Sequence, residues 1–144
     1  MNKYGTLLIV DDNPTILTAL KYALQETFTT IITLSRPEEI LRTMAQTVVD
    51  AVLLDMNFTL GANTGQDGML WLRAIKKHHP QTPVLLITAY ADVGLAVKGL
   101  KKFGIRSRVL LSGDKKASVE QVARELGLEE FHGELLPDQK VARV

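Results

Sequence analysis

The chain has 144 residues, of which 46% are hydrophobic and 23% charged, and its formal net charge is +1. This length is typical of one domain with a single core, and the composition is that of a globular protein. The chain has no cysteine, which excludes disulfides, thiol catalysis and cysteine metal sites. No apolar run approaches the ~18 residues of a membrane span. The small net charge argues against a direct nucleic-acid partner. We expect a cytoplasmic protein without a signal peptide, because a strand-like run begins soon after Lys3.

Short apolar runs alternate with amphipathic segments along the chain. Several runs are almost continuously apolar, which is typical of parallel strands that are covered on both faces. Five strands are predicted, together with a short sixth near Phe131, and the five cover residues 6–10, 29–33, 51–54, 83–87 and 109–111.

Signals for helix starts lie between these runs. Asn13 followed by Pro14 predicts an N-cap and a first helical turn, and residues 35–38 fit a capping box. Three more helices are predicted, and they begin after Asp67, after Asp92 and near Lys116. The alternation of strand and helix predicts a three-layer α/β fold, in which helices cover both faces of a doubly wound parallel sheet.

Acidic residues follow two of the predicted strands. Asp11 and Asp12 end the first strand, and Asp55 ends the third. In such a sheet ligands bind at the carboxyl ends of the strands, where three unpaired carboxylates would repel one another. Mg²⁺ would remove this repulsion, because it takes oxygen ligands and commonly uses carboxylates together with phosphate oxygens.

The same residues suggest phosphoryl transfer. Asp55 would act as the nucleophile that forms an aspartyl phosphate, and the Thr88 hydroxyl would bind a phosphate oxygen. The alternative is that each aspartate only caps the helix that follows its strand. The three carboxylates together favour the metal site over capping, because each of them follows an apolar strand.

Three segments resemble the receiver domain of two-component response regulators. They are LIVDDN at 8–13, VLLDM at 52–56 and LITAYAD at 86–92, and the resemblance covers roughly residues 3–102. It implies a flavodoxin-like, CheY-like fold and a histidine kinase or a small phosphodonor as the partner.

The resemblance also assigns roles to residues. It implies that Asp55 is the phosphoacceptor, that Thr88 is the switch hydroxyl and that Tyr90 is the aromatic residue that moves with it. The Mg²⁺ ligands that it implies are Asp11, Asp12, Asp55 and the backbone carbonyl of Asn57.

The fifth predicted strand departs from the receiver pattern. Receivers end this strand with a lysine that pairs with the phosphoryl group, whereas here Leu111 is followed by Ser112. Lys115 and Lys116 lie just beyond, as candidate substitutes or as solvent-facing residues. Without the lysine, the transition state and the switch lose a positive charge, so we expect impaired signalling.

The segments after Gly104 resemble the phosphorylation domain of P-type metal-transporting ATPases, which belong to the haloacid dehalogenase superfamily. They are LLSGD at 110–114, VARELG at 122–127 and GELLPDQKV at 133–141. The resemblance implies that Ser112 and Lys140 bind phosphate. The nucleophile motif of that family, Asp-Lys-Thr-Gly-Thr, does not occur in the sequence.

We interpret residues 1–144 as one α/β domain, receiver-like over 1–103 and dehalogenase-like over 104–144. An engineered chimera is favoured over a natural recombinant, because the change falls inside one compact domain. Such a chain would be a non-enzymatic scaffold that keeps an Mg²⁺-binding pocket. Two alternatives remain open: a functional receiver that is phosphorylated on Asp55, and a dehalogenase-like phosphatase fragment.

Overall fold

The computed structural model describes residues 2–56 and 66–87, and beyond them 109–111, 124 and 130–132. The helices are α1 (Pro14–Leu24), α2 (Ile40–Gln46) and α3 (Gln66–His78). The strands are β1 (Tyr4–Val10), β2 (Phe28–Leu34), β3 (Ala51–Asp55), β4 (Val84–Ile87), β5 (Val109–Leu111) and β6 (Glu130–His132). All six predicted strands are therefore present.

The chain divides into two compact units, Met1–Asp92 and Val93–Val144. The first unit contains a four-stranded parallel sheet with the strand order β2-β1-β3-β4. In the second unit, β5 and β6 pair in parallel. The fold is α/β, as the alternation of elements predicts, and flavodoxin-like, as the receiver resemblance implies. The prediction that residues 1–144 form one domain stays a prediction.

The core of the first unit lies around β1 and β3. Leu8 of β1 lies opposite Ile32 of β2 and Val52 of β3, so β1 is an inner strand. Parallel neighbours require crossover connections, and α1 and α2 lie on two of these. Leu8, Val10, Val52 and Leu54 are at most 1% exposed, as expected for strands covered on both faces.

The helix starts agree with the sequence at α1 and differ at α2 and at α3, which begins at Gln66 rather than after Asp67. The Asn13 side chain accepts hydrogen bonds from the backbone N–H groups of Thr15 and Ile16, at 2.9 and 3.4 Å. The capping box predicted at residues 35–38 is not formed, because Arg36 takes the N-cap position and no side chain caps the 3-10 turn Pro37–Glu39. Proline holds the residue before it in an extended conformation, which moves the helix start past the serine.

α3 ends just before a proline. The helix ends at His78, and the N–H of His79 donates to the Ile75 carbonyl at 2.7 Å, directly before Pro80. Within the described residues, no helix combines the length and the apolar character that crossing a membrane requires.

Candidate metal centre

Three acidic side chains meet at the carboxyl end of the sheet. β1 ends directly before Asp11 and Asp12, and the adjacent strand β3 ends at Asp55. One carboxylate oxygen from each residue can be chosen so that all three lie within 4.8 Å of one another. The structure therefore brings together the three carboxylates that the sequence predicts at this edge.

Asp11 is the buried member of this group. It is 2% exposed, whereas Asp12 and Asp55 are partly exposed. Its backbone N–H donates to the Leu34 carbonyl of β2 at 3.1 Å, and its Oδ1 accepts a hydrogen bond from the Asn13 N–H at 2.8 Å. These two bonds fix both the backbone and the carboxylate of Asp11.

The pKa of the Asp11 carboxyl is raised above its ordinary value. Burial is the largest cause, and the hydrogen bond from the Asn13 N–H opposes it. The charge of Asp12 and a hydrogen bond with its side chain act in the same direction as burial. A divalent cation among these carboxylates would offset both burial and repulsion, and a set of oxygen donors is what Mg²⁺ prefers.

Gly68, in the first turn of α3, lies against the end of β3. Its N–H donates to the Met56 carbonyl at 3.0 Å, and a Cβ at this position would lie 2.8 Å from that oxygen and 2.9 Å from the Asp55 carbonyl oxygen. The Met56 N–H donates to the Ile87 carbonyl of β4 at 3.1 Å. The backbone at Met56, directly after Asp55, is therefore held by α3 on one side and by β4 on the other.

No motif in the sequence pointed to Gly68. A glycine inside a helix costs about 1 kcal/mol relative to alanine, so its place in an otherwise amphipathic helix was the available signal.

The other predicted site residues lie outside the described residues, and their roles stay predictions. They are Asn57, Thr88, Tyr90, Ser112, Lys115, Lys116 and Lys140.

Comparison with known families shows the family of this chain. The family described as the response regulator receiver domain matches residues 7–128. The chain belongs to this receiver family. The match extends beyond residue 102, where the receiver motifs of the sequence analysis end, and includes β5.

Individual receiver domains are similar over most of the chain. The receiver domain of a two-component response regulator from Bacteroides fragilis is 33% identical, with a TM-score of 0.65, and the comparison covers 98% of this chain and 93% of that one. The DNA-binding transcriptional regulator NtrC of Escherichia coli K12 is 32% identical over 98 residues, which are 68% of this chain. The matched residues correspond to 20% of the length of NtrC.

A second similarity concerns a shorter part of the receiver chain. The cadmium, zinc and cobalt-transporting ATPase of Bacillus subtilis is 45% identical over 53 residues, which are 37% of this chain and 8% of the ATPase. Matches of 98 and 53 residues cannot both fit into 144 residues without sharing some of them. The receiver family accounts for most of the chain, and the ATPase similarity is partial.

Proposed function

We propose that this receiver binds Mg²⁺ through Asp11, Asp12 and Asp55 and accepts a phosphoryl group on Asp55. The observation that carries the proposal is the convergence of these three carboxylates at the ends of adjacent strands. Receiver domains bind Mg²⁺ through acidic residues, and the chain belongs to that family. The Asn57 carbonyl would add a fourth protein oxygen.

The exposure of each carboxylate suits a different role. Asp11 is buried and hydrogen-bonded, which suits a fixed metal ligand, whereas Asp55 is partly exposed and accessible to a phosphodonor. An Asp55 carboxylate oxygen would attack the phosphorus, and the bond from phosphorus to the leaving group would break as the new P–O bond forms. The leaving group would keep that electron pair. Bound Mg²⁺ would supply charge neutralisation for the transferring group.

The donor and the response to phosphorylation are part of the proposal. A histidine kinase is the typical partner of a response regulator receiver, and a small phosphodonor is its chemical substitute. Thr88 and Tyr90 would form the switch. We expect a weakened response, because Ser112 follows β5 where receivers carry lysine, and Lys115 or Lys116 would have to replace that charge.

The proposal includes a mixed origin of the chain from two families. We take the chain to be an engineered chimera whose dehalogenase-like part begins near Gly104; the partial ATPase similarity over 53 residues agrees with a mixed origin and does not locate the boundary. Ser112 and Lys140 would then be remnants of a phosphate site that lacks its nucleophile motif. The chain would be a cytoplasmic, non-enzymatic signalling domain rather than a phosphatase.

Incubation with acetyl phosphate and Mg²⁺ tests the proposed function. We expect a mass gain of one phosphoryl group that Asp55→Asn abolishes and that Glu38→Gln, a change at an exposed acid of the 3-10 turn, leaves intact. Beryllofluoride with Mg²⁺ should bind under the same conditions. No mass gain, or a gain that persists in Asp55→Asn, would refute the proposal. If the chain hydrolyses p-nitrophenyl phosphate and this activity depends on Ser112 and Lys140, the chain is instead a phosphatase.

A further inference from the structure

In the part of the chain that the structure describes, β2 is an edge strand, and its own sequence lacks the residues that usually protect such edges. Among the residues that the structure describes, it pairs with β1 alone. Its sequence, FTTIITL, contains no charged residue and no proline, and most of its residues are β-branched. An unprotected edge offers unpaired N–H and C=O groups to another strand, which is why natural proteins usually place charges or proline there.

The backbone of Ile31 and Thr33 faces this open edge. The Leu34 carbonyl accepts a hydrogen bond from the Asp11 N–H on the β1 side, and the pairing of β2 with β1 is continuous from Thr30 to Leu34. In a strand, the hydrogen-bonding groups of successive residues point to alternate edges. Since Leu34 points toward β1, Ile31 and Thr33 point away from it.

The sequence of β2 is close to symmetric about Ile31. In an antiparallel pair of two β2 strands centred on Ile31, this residue lies opposite its own copy, Thr29 opposite Thr33, and Phe28 opposite Leu34. Pairs of threonines are among the cross-strand pairs that stabilise sheets, and Phe28 with Leu34 would add an apolar contact. The N–H of each Ile31 would also donate to the carbonyl of the other Ile31, because both of these backbone groups face the open edge.

The charged residues that flank β2 follow the same symmetry. Glu26 and Arg36 each stand five positions from Ile31, Glu26 in the turn before β2 and Arg36 just after the strand, so the pairing places the Glu26 end of one copy beside the Arg36 end of the other. The Glu26 side chain is 82% exposed, and Arg36 is exposed with an extended backbone. Glu26 also lies 3.7 Å from Lys3, but an exposed ion pair of this kind is weak enough to be exchanged.

We propose that two copies of the chain associate through antiparallel pairing of their β2 strands. The pairing is two-fold symmetric, as an interface between the same strand of two copies requires, and it joins two four-stranded sheets into one. A register centred on Ile32 would also let edge-facing groups bond, because Ile31 would then lie opposite Thr33, but it would separate Glu26 from Arg36. Since one strand pair is smaller than a standard interface of about 1,600 Å², the dimer is weak and depends on concentration.

Sedimentation of the full chain from micromolar to millimolar concentration tests the proposal. We expect the mean mass to rise from one chain toward two. Glu26→Arg or Arg36→Glu alone places like charges opposite each other at both ends of the interface, and each should weaken the dimer about threefold or more. The double variant restores opposite charges and should return the dissociation constant to within about twofold of the native value. Lys77→Glu, an exposed charge reversal on α3, is the control and should leave association unchanged.

Thr33→Pro tests the backbone pairing itself. The Thr33 N–H faces the open edge, so its removal leaves the bonds to β1 in place while blocking the partner strand. We expect a monomer with native circular dichroism and unchanged Mg²⁺ binding. If Thr33→Pro fails to fold, the charge variants decide. A single-chain mass at every concentration would overturn the proposal. A dimer that tolerates Thr33→Pro, or a double variant that does not recover, would also overturn it.

Discussion

Replacing Gly68 by alanine tests whether α3 positions the metal centre. Helix propensity alone predicts that alanine stabilises the protein by about 1 kcal/mol. The structure predicts the opposite, because the new Cβ would meet the Met56 Cα and would lie 2.8 Å from the Met56 oxygen and 2.9 Å from the Asp55 oxygen. All three atoms belong to the backbone, so no side-chain rotation relieves the overlap.

The size of the effect follows from these distances. Moving the new Cβ to about 3.5 Å from the Met56 Cα, the nearest of these atoms, requires α3 and the end of β3 to separate by roughly 1 Å or more. Overpacking of this kind costs about 1–3 kcal/mol, which exceeds the gain in helix propensity, so we expect a net loss of about 1 kcal/mol in unfolding free energy. Because Asp55 lies on the displaced backbone, its carboxylate moves too. Loss of the support around metal ligands lowers metal affinity by about 10–100-fold, and we expect a loss of this order for Mg²⁺.

A Mg²⁺ titration followed by the fluorescence of Trp71 measures the effect. Trp71 is the single tryptophan of the chain and lies three residues after Gly68 in α3. Leu70→Ala is the matched control, because Leu70 is 60% exposed in the same helix. Urea unfolding without Mg²⁺ separates stability from affinity. A Gly68→Ala protein that binds Mg²⁺ as tightly as the native chain and is more stable would show that this contact does not position the site.

Three further predictions concern residues of the first unit. The pKa of Asp11 is higher in the folded protein than its ordinary value of 3.8. In the Mg²⁺-free protein, the stability that protonated Asp11 contributes is therefore fully present below pH 3.8 and is lost as the pH rises through the folded-state pKa. Asp11→Asn should therefore stabilise the Mg²⁺-free protein at pH 7 and abolish the stabilisation by Mg²⁺, as thermal unfolding at several pH values would reveal. Asp50→Ala removes the carboxylate that accepts a 2.7 Å hydrogen bond from the Thr6 N–H. The unfolding free energy measured in urea should fall by about 1–2 kcal/mol. No loss would mean that water replaces this hydrogen bond. Asn13→Ala removes the cap of α1 and should lower the unfolding free energy by about 1 kcal/mol in the same assay. The Mg²⁺ affinity should be retained, because the backbone N–H of residue 13 still donates to Asp11. A large loss of Mg²⁺ affinity would show that the Asn13 side chain also supports the metal site.

The local pattern of the chain was sufficient for most of the fold. The apolar runs predicted the strands, and Asn13-Pro14 predicted the start of α1, because strand burial and helix capping depend on residues close together in sequence. The capping box at residues 35–38 failed for a local reason as well. The constraint that Pro37 places on Arg36 shifted the cap by one residue.

The sequence by itself determined that Asp11, Asp12 and Asp55 stand at strand ends, because each follows an apolar run. Only the tertiary structure decided that these strands are neighbours, which brings the carboxylates within 4.8 Å of one another. It also decided the contact of Gly68 with the backbone after Asp55 and the position of β2 at an edge. Strand order and the approach of a helix to a sheet arise from contacts between residues far apart in the chain. Local propensity carries little information about such contacts.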